Sequence, residues 1–520
     1  MNQGTSSPQP SAPFRTKERV AGHDSAATEE RVSGRATVRV AWGLFFILWF
    51  SFSYFHQPWT GMNQVSRLDL LHAIFKEGRL EITTYHQNTV DKAVKEERYF
   101  SDKAPGAVAL AAPAFGLAAL GLKVAGTDLD SSRGWLVSSW VGCAGSQGLV
   151  GALGGVALFL MLRAWVPGEV ALLAAVGLSL GSLPMIYATT YFSHAAVAGW
   201  LGLAWWALRP WAEGWGEWEK RELESPHVVS YKGDGVPAWR EWVAGCCFGW
   251  AIASEYSAAL VCGGLLWLAW ERGGWLSVWR VAWGAVPALL MIPAYHWACF
   301  GTPFTLGYGH EAVLRGMNRG LYGITFPPKL GNAYEMLFGM LRGILWWTPV
   351  LGLAVLGYPE LYARSRRAFW LCYLVPVAQV IIMAGYYDPR AGGTVSARYL
   401  SPLLPLLAVP VALGVQRARG LGWVLVVASV GLSFVPAAVG LVVPVHVEDS
   451  AWRSVFWPAL QGGNFNSNLG ASLGLTRFKV WVPLFTVWVV GFGWIGWQLR
   501  REARAAEKVV KPVGMTEVVK

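Results

Sequence analysis

The sequence predicts an all-α polytopic bundle of membrane helices, about 11–13 of them at ~20 apolar residues per crossing, with a large first external loop carrying an amphipathic helix. Three observations predict it. Of 520 residues, 54% are hydrophobic and only 14% charged, with a mean hydropathy of +0.36. A soluble domain needs roughly a quarter of its residues charged, so a soluble enzyme is excluded. The apolar residues come in blocks of about 20, the length that crosses a hydrocarbon core as helix. Many of the 31 tryptophans sit at block ends, where the indole favours the membrane interface.

The apolar blocks fall near 39–55, 104–124, 135–162, 169–187, 191–208, 242–270, 276–299, 340–358, 369–386, 400–416, 421–443 and 478–499. Residues 1–38 are polar, rich in Ser, Ala, Arg and Glu, and read as a disordered cytoplasmic tail ahead of an uncleaved anchor span. Residues 39–499 form one transmembrane domain, and 500–520 a basic cytoplasmic tail. Basic residues orient the chain: Arg364, Arg366 and Arg367 in one loop, Arg417 and Arg419 in another, Arg500, Arg501 and Arg504 in the tail. With these cytoplasmic, segments 56–103, 300–339, 387–399 and 444–477 face outside and both termini inside, in an inner cytoplasmic membrane. The net charge of +11 lies mainly in the tails and short loops, so it speaks for orientation and not for nucleic acid.

Parity holds in two ways. Either every block crosses once, or 104–124 is a shallow element and 242–270 is two short spans. Glu255 interrupts 242–270 midway, which favours the second. The two place Tyr191–His194 on opposite faces and swap the polar loop 210–241, whose seven acids and four bases do not decide. The six cysteines, Cys143, Cys246, Cys247, Cys262, Cys299 and Cys372, lie in or beside apolar blocks without metal-ligand spacing. They read as small buried residues.

The first loop, 56–103, carries seven basic and seven acidic residues. Val65, Leu68, Leu71 and Phe75 recur there at near-helical spacing, with Arg67, Asp69 and Lys76 between them, as in a helix lying on the outer surface. The loop ends in Tyr99-Phe100-Ser101-Asp102-Lys103-Ala104-Pro105-Gly106, a charged pair meeting Pro-Gly at the membrane boundary.

No Walker loop, dinucleotide-binding glycine turn, HExxH or GxSxG elbow stands in a working context, so ATP-driven pumping and serine-hydrolase chemistry are unsupported. What remains is polar residues at membrane boundaries. Asp91 or Asp102 suits a general base, and the adjacent Lys103 suits a phosphate; from spacing alone an ordinary solvated loop with a snorkelling lysine is the stronger reading. Glu255 and Tyr256 lie inside an apolar block, where an ionisable group usually faces a cavity. His194 opens a block and serves structure as readily as function. His310 follows a Gly/Pro-shaped turn, and Arg67, Arg342 and Arg398 each match phosphate geometry or anchor a helix end. No metal constellation is evident, and a divalent cation held by carboxylates stays open.

The order of these features resembles the polytopic GT-C glycosyltransferases, notably bacterial relatives of protein O-mannosyltransferases and of the lipid A aminoarabinose transferase. The shared pattern is an N-terminal span, an external loop with an amphipathic helix, and an aromatic-x-x-Lys-x-Pro entry to the next helix, here Tyr99 to Gly106. Segments 295–304 (YHWACFGTPF), 341–349 (LRGILWWTP) and 398–405 (RYLSPLLP) look like those of the same subgroup. The resemblance implies transfer of a sugar from a polyprenyl-phosphate donor to a lipid, glycan or protein acceptor outside the membrane, with inversion. It also implies that Lys103 contacts the donor phosphate. One departure stands out: relatives carry an acid just after the first span, where this sequence has Asn63-Gln64. An amide accepts no proton. Asp91, Asp69 or Asp102 then substitutes, or the chain has lost transfer activity. The rival readings are a transporter or flippase of a lipid-linked sugar and a catalytically silent GT-C-like protein. The lack of an internal repeat counts against transport.

Overall fold

In the computed structural model, the described residues are 17–209, 237–311, 316, 319–388, 391–444, 446–447 and 450–510. They form a helical bundle with four short strands in two antiparallel pairs. Eight helical segments are long and apolar enough to cross a membrane, and Gly168–Ser179 is a shorter apolar helix. That number falls below the expected crossings because length is uneven. Tyr256–Phe300 is one 45-residue apolar segment, while the helices on either side of the loop at 210–236 have only 15 and 17 residues. Residues 210–236, with residues 1–16 and 511–520, lie outside the described residues.

The helices used below are α1 (Lys17–Tyr54), α2 (Met62–His72), α3 (Gly106–Val124), α4 (Ser132–Leu162), α5 (Gly168–Ser179), α6 (Leu183–Tyr187), α7 (His194–Leu208), α8 (Ala238–Ser254), α9 (Ala259–Leu289) and α10 (Met291–Phe300). They continue as α11 (Leu330–Phe338), α12 (Ala354–Arg364), α13 (Arg366–Ala384), α14 (Leu404–Arg417), α15 (Arg419–Val439) and α16 (Val482–Val510). The strands are β1 (Phe55–His56), β2 (Ala93–Lys95), β3 (Arg98–Phe100) and β4 (Ser467–Asn468). The backbone of α1 is helical back to Lys17, so residues 17–38, expected to be disordered, extend the first span. Ala- and Glu-rich sequence joined to an anchored helix continues it at little cost, because nucleation is already done.

Contacts sort the helix ends into two groups. At one end, Arg163 pairs with Glu502 at 2.6 Å, Arg209 donates to the Leu160 carbonyl at 2.6 Å, and Arg364 donates to that of Trp165 at 2.7 Å. Arg280–Glu241 and Arg367–Glu271 belong to the same end, at 3.0 and 3.1 Å. At the other end, His56 meets Ser139 at 2.7 Å, Lys95 donates to the Phe300 carbonyl at 2.9 Å, and β1 pairs with β4. Here too the Tyr191 N–H donates to Gln64 at 3.0 Å, which puts Tyr191–His194 beside the first loop.

Two features match the second parity scheme. Helix α3 starts beside Lys103, yet just beyond its far end Asp130 meets His72 at 3.3 Å and Lys76 at 3.7 Å. Phe75 and Phe115 stack between them at 5.5 Å. Both ends of α3 therefore meet α2 and its extension, and the helix lies along them instead of passing through the bundle. Second, the chain breaks between α8 and α9: Glu255 is extended (φ −151°, ψ 113°) and the helix resumes after one tight turn.

Small residues let the interior helices close on each other. A Cβ on Gly154 of α4 would sit 2.3 Å from the Gly199 Cα of α7, so the two backbones touch there. The expected buried role of the cysteines holds for all but Cys246, which is exposed on α8.

Candidate functional site

The cavity lies at the first-loop end. It opens about 180 Å³ to water-sized groups and draws its wall from the first loop, the α6–α7 corner, the α8–α9 break, the segment after α10 and the segment 386–399. Each contribution has a local cause. Gly106 starts α3 hard against the end of α8; a Cβ there would lie 2.5 Å from the Ala253 carbonyl carbon. That close approach brings Lys103, three residues earlier, to the same cavity as Glu255. The break at Glu255 turns its carboxylate out of the helix barrel and into the space.

Lys103 is 4% exposed, and its ammonium lies 2.7 Å from Asp102 and 3.0 Å from Asp91. The Tyr308 ring faces it at 5.6 Å. Burial disfavours the charged lysine, but Asp102 and then Asp91 outweigh burial and push its pKa well above the ordinary lysine range, so it stays cationic. Asp91 reaches the cavity. Asp102 does not: its side chain is fully buried behind Lys103, against the next segment. Of the two carboxylates, Asp91 opens onto the cavity, and Asp102 is a buried counter-charge to Lys103.

Arg398 stands opposite. Its guanidinium faces the Phe192 ring at 4.7 Å and the Tyr399 ring at 5.4 Å, and it is 6% exposed. No described carboxylate lies within ion-pair distance of it, while Lys103 has two and Arg67 one. Arg67 lies one layer back: it pairs with Glu255 at 3.5 Å and donates to the Asn63 amide oxygen and to Ser193. Glu255 also accepts the Ser193 hydroxyl, and His194 approaches it at 4.0 Å. Asn63, at the position where an acid was expected, lines the cavity as an acceptor for Arg67.

The remaining expected residues fall outside the wall. Tyr256 sits just behind it, with its ring 6.2 Å from that of Tyr308 and its hydroxyl 3.4 Å from His296. His310 stacks on Phe300 at 4.8 Å, away from the space. Arg342 is buried and lines no part of the cavity. Asp69, a possible stand-in base by sequence, is buried on the far side of α2, where Asn88 donates to it at 3.0 Å. Burial pushes its pKa up to about 8 despite that bond, so it is largely protonated at neutral pH.

Sequence reasoning missed Asp388, Tyr386 and Tyr387, which complete the wall. Asp388 accepts the Gly392 N–H at 2.6 Å, and Gly392 takes a left-handed φ of +63° to allow it. The Tyr-Tyr-Asp…Gly-Gly run between two apolar blocks was the available signal. Among the described residues, no three His, Cys, Asp or Glu side chains converge as metal ligands would. The wall thus offers carboxylates at Asp91, Glu255 and Asp388, cations at Lys103 and Arg398, and aromatic faces between. That set can hold a phosphate at one side and accept a hydroxyl proton at the other.

No protein-family model matches the sequence, and no curated protein matches it. Among solved structures, the chain is similar to a crystal structure of ArnT from Cupriavidus metallidurans bound to undecaprenyl phosphate. Identity is 15% and the TM-score 0.47, over 90% of this chain and 78% of that one. It is also similar to the archaeal oligosaccharyltransferase AglB from Archaeoglobus fulgidus, in complex with an inhibitory peptide and a dolichol-phosphate. There identity is 11% and the TM-score 0.42, over 83% of this chain and 57% of that one. Both solved proteins are of GT-C type, the class that the sequence motifs resemble. Likeness at this level assigns neither activity nor substrate to the chain.

Proposed function

We propose that the chain is a membrane glycosyltransferase that moves a sugar from a polyprenyl-phosphate donor to an acceptor hydroxyl, with inversion. The observation that carries it is Arg398: a buried guanidinium with no described carboxylate within ion-pair distance, facing the same cavity as the Asp91–Lys103 pair. Asp91 acts on the guanidinium only from across the cavity, and a donor phosphate would give it a bidentate partner in contact. Lys103 has three N–H donors; Asp91 and Asp102 engage two, and the third remains for the same phosphate.

In this reading Asp91 takes the acceptor's proton as its oxygen attacks the anomeric carbon. The bond to the phosphate oxygen breaks on the opposite face, and Arg398 and Lys103 hold the charge that develops there. Positioning and electrostatics carry most of the barrier reduction, because a phosphate leaves readily. Glu255 is the second carboxylate in reach, but Arg67 and Ser193 already hold it. The apolar helices beside the cavity give a polyprenyl chain its solvent. The arginines gathered at the opposite end support a cytoplasmic position for that end by the positive-inside rule, and with it a cavity on the outer face of the inner membrane.

The test is turnover by purified protein in lipid, with radiolabelled polyprenyl-phosphate sugars and a mixed acceptor extract. Label moving to an acceptor as free polyprenyl phosphate accumulates is the expected result. Tight donor binding with no transfer would sink the enzyme reading and favour a carrier or silent relative.

A further inference from the structure

One guanidinium holds two of the cavity's polar side chains in place. Arg67, 1% exposed on α2, donates from one terminal nitrogen to the Asn63 amide oxygen, one helical turn earlier. Its other terminal nitrogen lies 3.5 Å from Glu255 Oε1. That same oxygen accepts the Ser193 hydroxyl and faces His194 at 4.0 Å. A guanidinium only donates, so the Asn63 atom that meets it is the oxygen, and the amide NH2 points away from Arg67. Asn63 and Glu255 both line the cavity, and Arg67 lies behind them. Among the described residues, neither the Asn63 amide nitrogen nor Glu255 Oε2 has a hydrogen-bond partner. The wall thus sets a fixed donor beside a fixed acceptor.

Resting on the reading above, we propose that Asn63 and Glu255 together read one unsubstituted hydroxyl of the donor sugar. Asn63 donates an N–H to the hydroxyl oxygen, and the hydroxyl donates in turn to Glu255 Oε2. A hydroxyl both accepts and donates, so it satisfies the two sides at once. Other groups fail on one side. A carbonyl oxygen suits Asn63 but turns lone pairs on the carboxylate, and a second anion is repelled by its charge. An ammonium suits Glu255 but turns its own N–H groups on those of Asn63. Arg67 balances the charge of Glu255, so the pair is neutral overall. It leaves the phosphate to Arg398 and Lys103, and the acceptor's proton to Asp91. A sugar lacking the hydroxyl leaves both wall groups unpaired, which discriminates more sharply than a lost apolar contact.

The test is binding to the full chain in lipid at neutral pH, without acceptor, for wild type, Asn63→Asp and Glu255→Gln. Asn63→Asp keeps an oxygen for Arg67 and removes only the N–H donors, so it opens no gap in the fold. The ligands are a sugar-free polyprenyl phosphate and polyprenyl phosphates of glucose, mannose, galactose and arabinose. Each sugar is also used in its monodeoxy forms and with single hydroxyls replaced by amino groups. Dividing every affinity by that of the sugar-free lipid cancels effects on the phosphate. Wild type should hold at least one intact sugar more tightly than the bare lipid, and lose about tenfold when one particular hydroxyl is deleted. The amino form at that position should bind no better than the deoxy form. Asn63→Asp should reverse this order and prefer the amino form to the hydroxyl. In Glu255→Gln, Arg67 and Ser193 take the amide oxygen, so the deoxy penalty should vanish with no gain for the amino form. Monodeoxy sugars that all bind wild type as their parents do would overturn the proposal, as would an Asn63→Asp variant that still prefers hydroxyl to ammonium. An acceptor hydroxyl at this site would give that first result, because no acceptor is present. Failure of wild type to bind even the sugar-free lipid would remove the polyprenyl-phosphate reading, and this proposal with it.

Discussion

Replacing Arg398 by Met separates binding from folding, because affinity loses a whole interaction while the terms in stability offset one another. A guanidinium can make two parallel charge-assisted bonds to a phosphate. At about 1.5 kcal/mol each, the low end of the range, their loss removes about 3 kcal/mol. That is about a hundredfold in polyprenyl-phosphate affinity. The fold loses the Phe192 and Tyr399 ring contacts, about 2 kcal/mol each at a desolvated site, and a hydrogen bond to Tyr399. It also sheds a 6% exposed charge with no described carboxylate within ion-pair distance, whose desolvation costs several kcal/mol. The two nearly cancel and methionine fills a similar volume, so Tm in lipid should change little while affinity collapses. Isothermal titration with a polyprenyl phosphate, beside a thermal melt of the ligand-free protein, reads both. An affinity loss under threefold would refute the phosphate role, and a fall in Tm that tracks the affinity loss would show that Arg398 serves the fold.

Asp91→Asn should cut turnover by orders of magnitude with donor binding kept, and Glu255→Gln by much less; the reverse order moves the base to Glu255. Lys103→Met should lose turnover and also lower Tm, since it leaves Asp91 and Asp102 buried together without a cation, a loss of about 3–5 kcal/mol; an unchanged melt would mean that the pair is solvated. A cysteine replacing exposed Ser472, at the cavity end, should label from outside intact cells, and one replacing exposed Ala363, at the arginine-rich end, should not; the opposite pattern inverts the orientation. Asp69 has a folded pKa of about 8 against an ordinary 3.8, so the folded state holds a proton that the unfolded chain releases as pH rises between them. Stability drops across that window and levels above it. Asp69→Asn should therefore gain Tm over wild type increasingly from pH 5 to pH 8, and a constant difference would show that Asp69 does not titrate there.

Composition and block length made the bundle legible, because both report the free energy of placing each residue in hydrocarbon. Glu255 marked its own helix break for the same reason: a carboxylate at that depth needs the chain to bend and present it to water. Lys103, Arg398 and His194 were legible as polar residues where apolar blocks begin, and Asn63 through the resemblance; the four do line one cavity. Asp91 and Asp102 were indistinguishable by type and only 11 positions apart in one loop. What parts them is the segment at Gly307, more than 200 residues later in the chain, which packs on Asp102 while Asp91 lines the cavity. Asp388 stayed hidden likewise, since its place depends on the left-handed turn at Gly392, which no periodicity reports.

Helix α3 has a consequence beyond the cavity it helps to build. Its side away from α2 leaves Leu117, Leu120 and Val124 71%, 60% and 83% exposed, a run of apolar surface along one helix. Because both ends of α3 meet α2 and its extension, whatever apolar surroundings cover that run also hold the first loop, and with it Asp91 and Lys103, in place. The helix is thus a hinge pin between the cavity and the medium around the protein.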